Sequence, residues 1–137
     1  MGVAVLPALI PDIERVYEVF FNSFQNDVMG SKMLEILFPG GITKEFRKTH
    51  AIETAKFWHH NDVQYTMKAI DTDTGDIIGM ILFDLYFRDS SKEERKYHGI
   101  PWLEGKQRER ADKVIGALHD MHEKIWGGRR HLGKFEI

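Results

Sequence analysis

Two runs with strand character flank a short polar turn, and this pairing limits what the chain can fold into. Over residues 63–70, Val63, Tyr65, Met67 and Ala69 alternate with Gln64, Thr66 and Lys68. A period of two marks a half-buried strand, because successive side chains point to opposite faces of a sheet. Residues 77–87 form a second, longer apolar run. Between them, Asp71-Thr72-Asp73-Thr74-Gly75-Asp76 has the Asp, Thr and Gly chemistry of a tight turn. An antiparallel hairpin is expected, with the Val63, Tyr65, Met67 and Ala69 set on its buried side. Gly79, inside the second run, marks a bulge or a close backbone approach.

The rest of the chain supplies helices to cover that hairpin. Residues 3–9 are apolar with β-branched content and read as a first strand. Pro11 suits a first helical turn, where its missing N–H would be unpaired anyway. Ile13, Val16, Tyr17, Phe20, Phe21 and Phe24 recur at three- and four-residue spacing, the wide apolar stripe of an amphipathic helix. Residues 26–30 end it. Ser31 is the expected cap of a short helix through Leu37, and Pro39-Gly40-Gly41 breaks the chain. Thr43 is the expected cap of a helix over 44–60, with Phe46, Ala51, Ala55 and Trp58 facing inward. Residues 106–126 place Val114, Ile115, Leu118, Ile125 and Trp126 on one helical face, and Gly127-Gly128 terminates the helix. The predicted order is β-α-α-α-β-β-α followed by a short tail. This is an α+β fold with a small antiparallel sheet and about four helices, and a short C-terminal strand is the open question.

Size and charge bound the function. With 137 residues the chain makes one domain, taken here as residues 1–137. A formal net charge of −2 supplies no long-range field for nucleic acid or an anionic membrane, so neither is an expected partner. The absence of cysteine excludes disulfides, thiolate metal sites and a thiol nucleophile, and suits a reducing compartment. The N-terminus lacks the basic flank of a secretory signal and carries Leu6 where a myristoylation motif wants Ser or Thr. No apolar run reaches the ~18 residues of a membrane span. A cytoplasmic protein is expected.

The order of elements, and above all the hairpin Tyr65-Thr66-Met67-Lys68-Ala69-Ile70-Asp71-Thr72-Asp73-Thr74-Gly75-Asp76-Ile77-Ile78-Gly79-Met80, resembles the N-terminal, acceptor-side half of the GCN5-related N-acetyltransferase (GNAT) superfamily. In that family a residue such as Lys68 precedes an Asp-x-x-Thr-Gly turn and an Ile-x-Gly strand. The last helix with Gly128-Arg129-Arg130-His131-Leu132 is similar to the insertion before the fourth strand of fungal-type members. The resemblance implies an acyltransferase relative, and acetyl-CoA as cofactor by resemblance only. Family members continue into a Gln/Arg-x-x-Gly-x-Gly/Ala loop that opens a helix and cradles the pyrophosphate of the coenzyme. Arg130-His131-Leu132-Gly133-Lys134-Phe135 matches Arg-x-x-Gly but carries Phe135 where a small residue is required. A truncated family domain without an autonomous coenzyme site is therefore expected, and no cofactor is expected for this chain alone.

The resemblance also places acceptor-binding candidates near the first helices and the end of the second hairpin strand: Phe24, Asn26, Asp27, Asp84, Tyr86 and Trp102. An alternative reading is a coenzyme-independent small-molecule enzyme or binder with an aromatic-lined pocket. It would use His59, His60 or Asp84 as general base. A third reading is a non-catalytic dimerisation module. His119-x-x-His122-Glu123 shares one helical face but has no clear third ligand, so no metal is expected. Asp71-x-Asp73-x-Gly75 misses the calcium-loop pattern, with Leu82 where Glu is required. Lys124, Arg129, Arg130 and Lys134 make a modest basic tail. Finally, the 77–87 strand presents an apolar edge that needs cover. Residues 131–137 can fold back on it, since Phe135 and Ile137 alternate with Lys134 and Glu136. Otherwise two copies pair, and a homo-oligomer through that edge is the expected partner state.

Overall fold

The structure is a computed structural model that describes residues 2–136, and the side chains of residues 2–130. In chain order it contains β1 (Val3–Pro7), a 3-10 turn (Ile10–Asp12), α1 (Ile13–Gln25), α2 (Val28–Leu37), α3 (Lys44–His60), β2 (Gln64–Asp71), β3 (Ile77–Tyr86), α4 (Gly105–Trp126) and β4 (His131–Glu136). The fold is α+β. The strands form one antiparallel sheet in the order β1-β2-β3-β4.

The hairpin forms as its turn chemistry requires. Asp71 Oδ1 accepts the Asp73 N–H at 2.8 Å, and Gly75 takes the left-handed backbone conformation with φ 77°. The register pairs Tyr65 with Phe83 and Lys68 with Met80, then slips between Ala69 and Ile70. Gly79 lies at that bulge, opposite Ala69, where an added Cβ would sit 3.4 Å from the Ala69 Cβ.

The face of the sheet that is covered is the reverse of the expected one. Helix α1 packs on the side that carries Thr66, Lys68, Ile70, Ile77, Met80 and Leu82. Val16, Ile77 and Met80 form the centre of this core, with Tyr17, Val19 and Phe20 against them. Tyr65, Met67 and Ala69 point the other way, beside Val5 of β1 and Ile81 and Phe83 of β3. Tyr65 is 40% exposed and stacks on Phe83 with ring centroids 5.8 Å apart. Strand alternation defines two faces but not which of them receives the helices. Here α1 packs on the side where Ile70, Ile77, Met80 and Leu82 of the two strands meet Val16, Val19 and Phe20, and Asp12 at the head of α1 pairs with Lys68 on that side at 2.7 Å.

A second core lies away from the sheet. Ile100, Leu103 and Ala111 are buried there against Ile36, Leu37 and Ile115. Between the two cores runs an aromatic ladder. Phe21, 1% exposed, contacts the rings of Tyr17, Phe20, Phe38, Phe46 and His50.

Two local expectations are corrected, and the open question of the tail is answered. The short helix begins at Val28, capped by Asp27 rather than Ser31, since the Asp27 carboxylate accepts the Gly30 N–H at 2.6 Å. In α4, Leu118, Ile125 and Trp126 are exposed, while Ala111, Asp112, Ile115, His119 and Glu123 turn inward. Polar anchors explain that rotation. Tyr97 donates to Asp112 at 2.8 Å, and the Arg95 guanidinium meets Glu123 at 2.9 Å. The tail does fold back. β4 pairs antiparallel with β3 from Tyr86↔His131 to Ile81↔Glu136, so β3 is paired on both sides. The edge on which the homo-oligomer expectation rested is thereby occupied.

Candidate functional site

The residues singled out from the sequence fall in separate places. His59 and His60 lie exposed in the last turn of α3. Phe24, Asn26 and Asp27 lie at the junction of α1 and α2. Phe24 is half-buried with its ring 4.8 Å from Phe20, Asn26 closes α1, and the Asp27 carboxylate is committed to capping α2. Trp102 stacks on Phe38 at 5.8 Å, and its indole N–H donates to the Leu37 carbonyl at 2.8 Å. It acts as a clasp over the end of α2.

Asp84 and Tyr86 are brought together. Both lie on the helix-covered face of β3, two residues apart and therefore on one side of the strand. The Tyr86 hydroxyl donates toward Asp84 Oδ2 at 3.4 Å, and Asp84 Oδ1 is out of contact with solvent. Burial, with the neighbouring Asp84 charge second, raises the Tyr86 phenol above its ordinary pKa. The His122 ring from α4 comes within 6.1 Å of the Tyr86 ring. This is a carboxylate, a phenol and an imidazole on adjoining elements, a set that can accept and return a proton.

A second place was not foreseen. A cavity of about 420 Å³ opens between α1 and α3. Tyr17, Phe21 and His50 form its aromatic wall, and Lys44, Arg47 and Lys48 stand around it with Glu14 and Glu18. The His50 ring packs edge-on to Tyr17 at 4.5 Å, and its Nδ1 lies 3.4 Å from the Thr54 hydroxyl. Burial lowers the pKa of His50 and pushes the Tyr17 phenol up to about 12. Both groups are held neutral near pH 7. The signal for His50 was present in the spacing Phe46, His50, Thr54, Trp58, a four-residue stripe with the polar members overlooked.

His119 turns to the Tyr97 ring at 5.5 Å and His122 to Tyr86, so the pair does not converge. Among the described residues no group of three or more His, Cys, Asp or Glu is placed to hold an ion. Among them, too, no helix is long and apolar enough to cross a membrane.

The backbone at residues 131–136 does not form the anion cradle that the Arg-x-x-Gly match implied. The segment that matches Arg-x-x-Gly runs into β4, where 131–136 is extended backbone in register with β3. An anion cradle needs successive N–H groups converging at a turn that opens a helix, and a strand directs them alternately to opposite sides. Compared with protein-family models, curated proteins and solved structures, the chain has no match.

Proposed function

We propose that this chain is a GNAT-like acyltransferase-family domain that presents the acceptor side of such a fold and does not by itself hold acetyl-CoA. The observation that carries the reading is the connectivity. Three helices sit between β1 and β2, and the sheet runs β1-β2-β3-β4 with every neighbour antiparallel. Fold-level likeness alone does not assign chemistry. The Asp84–Tyr86 pair adds it. A carboxylate beside a phenol is chemistry that can bind an ammonium group and take its proton as the amine becomes a nucleophile. A cytoplasmic location goes with this reading.

The test is a titration of spermidine and of n-butylamine into 15N-labelled protein. Amide shifts at Asp84 and Tyr86, absent in Asp84→Asn, are expected. Shifts elsewhere only, or none, overturn the acceptor role. Titration calorimetry with acetyl-CoA is expected to show no binding heat. Saturable heat would overturn the statement about the coenzyme.

The α1–α3 cavity favours a second reading, a coenzyme-independent site for a small ligand. Its volume lies in the range of small-molecule pockets, and His50 is a neutral base on its wall. Ligand-observed NMR against a fragment set, repeated with His50→Phe, decides it. Hits that persist unchanged in the variant would remove His50 from the site.

A further inference from the structure

We propose that the cavity between α1 and α3 takes an aromatic carboxylate, with its ring against Tyr17, Phe21 and His50 and its carboxylate on Arg47. This rests on the reading of that cavity as a small-ligand site, and it names the class of ligand.

Each helix contributes one face. Glu14, Tyr17, Glu18 and Phe21 of α1 recur at three- and four-residue spacing, and so do Lys44, Arg47, Lys48 and Ala51 of α3. Each set therefore lies on one side of its helix. The deep part of the cavity is aromatic. Phe21 is 1% exposed, and the His50 ring stands edge-on to Phe21 at 5.2 Å and to Tyr17 at 4.5 Å. A planar ring adds to edge-to-face contacts of this kind, and a saturated chain does not. The volume of about 420 Å³ suits a ligand of one or two rings.

Charge selects the sign of the ligand. Arg15, Lys44, Arg47 and Lys48 line the cavity against Glu14 and Glu18, and Glu18 is engaged by Arg15 at 2.6 Å. Among the described residues none of Lys44, Arg47 and Lys48 is within ion-pair distance of a carboxylate. Three like charges on one face of α3 repel one another, and an anion among them offsets that repulsion. Arg47 is the anchor. Its guanidinium carbon lies 5.7 Å from the centroid of the Phe21 ring, and its Nη2 donates to the neutral Asn22 Oδ1 at 3.3 Å. The guanidinium is thus held beside the aromatic floor by partners that carry no charge. Its remaining N–H groups are left for a carboxylate, which a guanidinium matches with two parallel hydrogen bonds. An amine would meet the same cations and be repelled, so this cavity and Asp84 select ligands of opposite charge.

Two-dimensional NMR of the 15N-labelled full chain tests the proposal. The probes are 2-naphthoate, its neutral isostere 2-naphthamide, its saturated analogue decahydro-2-naphthoate, and inorganic phosphate. Saturable shifts of the Tyr17, Arg47 and His50 amides are expected with 2-naphthoate. Binding of 2-naphthamide and of phosphate is expected to be about tenfold weaker, and that of the saturated acid about threefold weaker. Arg47→Met, which keeps a stem beside Phe21, is expected to lose about tenfold in affinity for 2-naphthoate with unchanged circular dichroism, and Arg47→Lys to recover part of it. If 2-naphthamide binds in the cavity as tightly as 2-naphthoate, the anionic class is overturned while the cavity stands as a small-ligand site. Equal binding of the saturated acid or of phosphate overturns the aromatic class. Unchanged affinity in Arg47→Met overturns the anchor. The absence of cavity shifts with every probe overturns the proposal, and the fragment screen then decides whether the cavity reading falls with it. None of these results bears on the amine titration at Asp84.

Discussion

Lys68 on β2 and Asp12 at the head of α1 form an ion pair at 2.7 Å, with both side chains less than a fifth exposed. Asp12 Oδ2 also accepts the Leu9 N–H at 2.8 Å. One carboxylate thus joins the sheet, the turn before α1 and the start of the helix. The Lys68 ammonium, and then the Leu9 N–H, hold the Asp12 carboxyl below its ordinary pKa. The folded state therefore binds this proton less readily than the unfolded chain. The stabilisation is present above the unfolded carboxylate value near 4 and is lost as pH falls through the lower folded value. Lys68→Met is expected to cost about 1–3 kcal/mol at pH 7, by leaving a half-enclosed carboxylate with one donor. It should also flatten the acid limb. Urea unfolding at pH 7 and pH 3 on both proteins checks this.

His50 supplies the opposite limb of the histidine range. Burial lowers its pKa, so the folded state resists its protonation and stability falls as pH drops below the unfolded value near 6.5. The groups around it are the aromatic Tyr17, Phe21 and Phe46, the Thr54 hydroxyl and the cations Arg47, Lys44 and Lys48 along the same groove. His50→Phe keeps the ring contacts and loses the titration. It is expected to stay within about 1 kcal/mol at pH 7.5 and to lose less stability than the parent between pH 7 and 5. Thermal melts across that range decide it.

Gly30 is buried under Phe24, where an added Cβ would meet the Phe24 carbonyl oxygen at 2.7 Å and its Cα at 2.9 Å. Backbone cannot give way as a flexible side chain does. Helix propensity alone would make Gly30→Ala stabilising by ~1 kcal/mol. The clash is expected to reverse that sign, for a net loss of about 1–3 kcal/mol. Equilibrium denaturation gives the sign directly.

Asp27 was expected near an acceptor and is found capping α2. Asp27→Ala is expected to cost about 1 kcal/mol, and Asp27→Ser much less, because a hydroxyl still accepts the N–H of the first turn. If the role is capping alone, both variants leave the amine-induced shifts at Asp84 and Tyr86 intact. Two-dimensional NMR with the same amines reports this.

Phe21 ties the aromatic ladder together. Phe21→Ala is expected to cost about 3–5 kcal/mol and Phe21→Leu roughly half as much. The Tyr17 phenol should then titrate below its parent value of about 12, since water enters beside it. Ultraviolet titration follows the phenolate.

The places where the sequence sufficed and where it did not divide by physics. The Asp-Thr-Gly turn, the Thr43 cap and the stripe Ile13, Val16, Tyr17 are local, and they formed as read. The side of the hairpin that is covered is set by contacts between residues far apart in the chain, Val16 with Ile77 and Met80 and Asp12 with Lys68. The rotation of α4 depends on Tyr97 and Arg95 finding Asp112 and Glu123, polar anchors that an apolar stripe does not reveal. His50 was missed for a related reason: in Arg47-Lys48-Thr49-His50 it reads as one more polar residue of a charged helix. Asp84 and Tyr86 were named separately, and strand alternation, which puts residues two apart on one side, brings them together.

The pairing of Tyr86 with His131 has a topological consequence. The chain leaves β3 at one point and re-enters the sheet as β4 immediately beside it, so α4 and the segment before it form an excursion anchored at both feet, which packs Ile100, Leu103 and Ala111 against Ile36 and Leu37 of α2. The Ser90 N–H donates to the Gly128 carbonyl at 2.9 Å, which draws the feet together beside the paired strands. A tight turn spliced from Tyr86 to His131 would leave a far shorter loop to close, but it would uncover Ile36 and Leu37 and remove His122 from beside Tyr86.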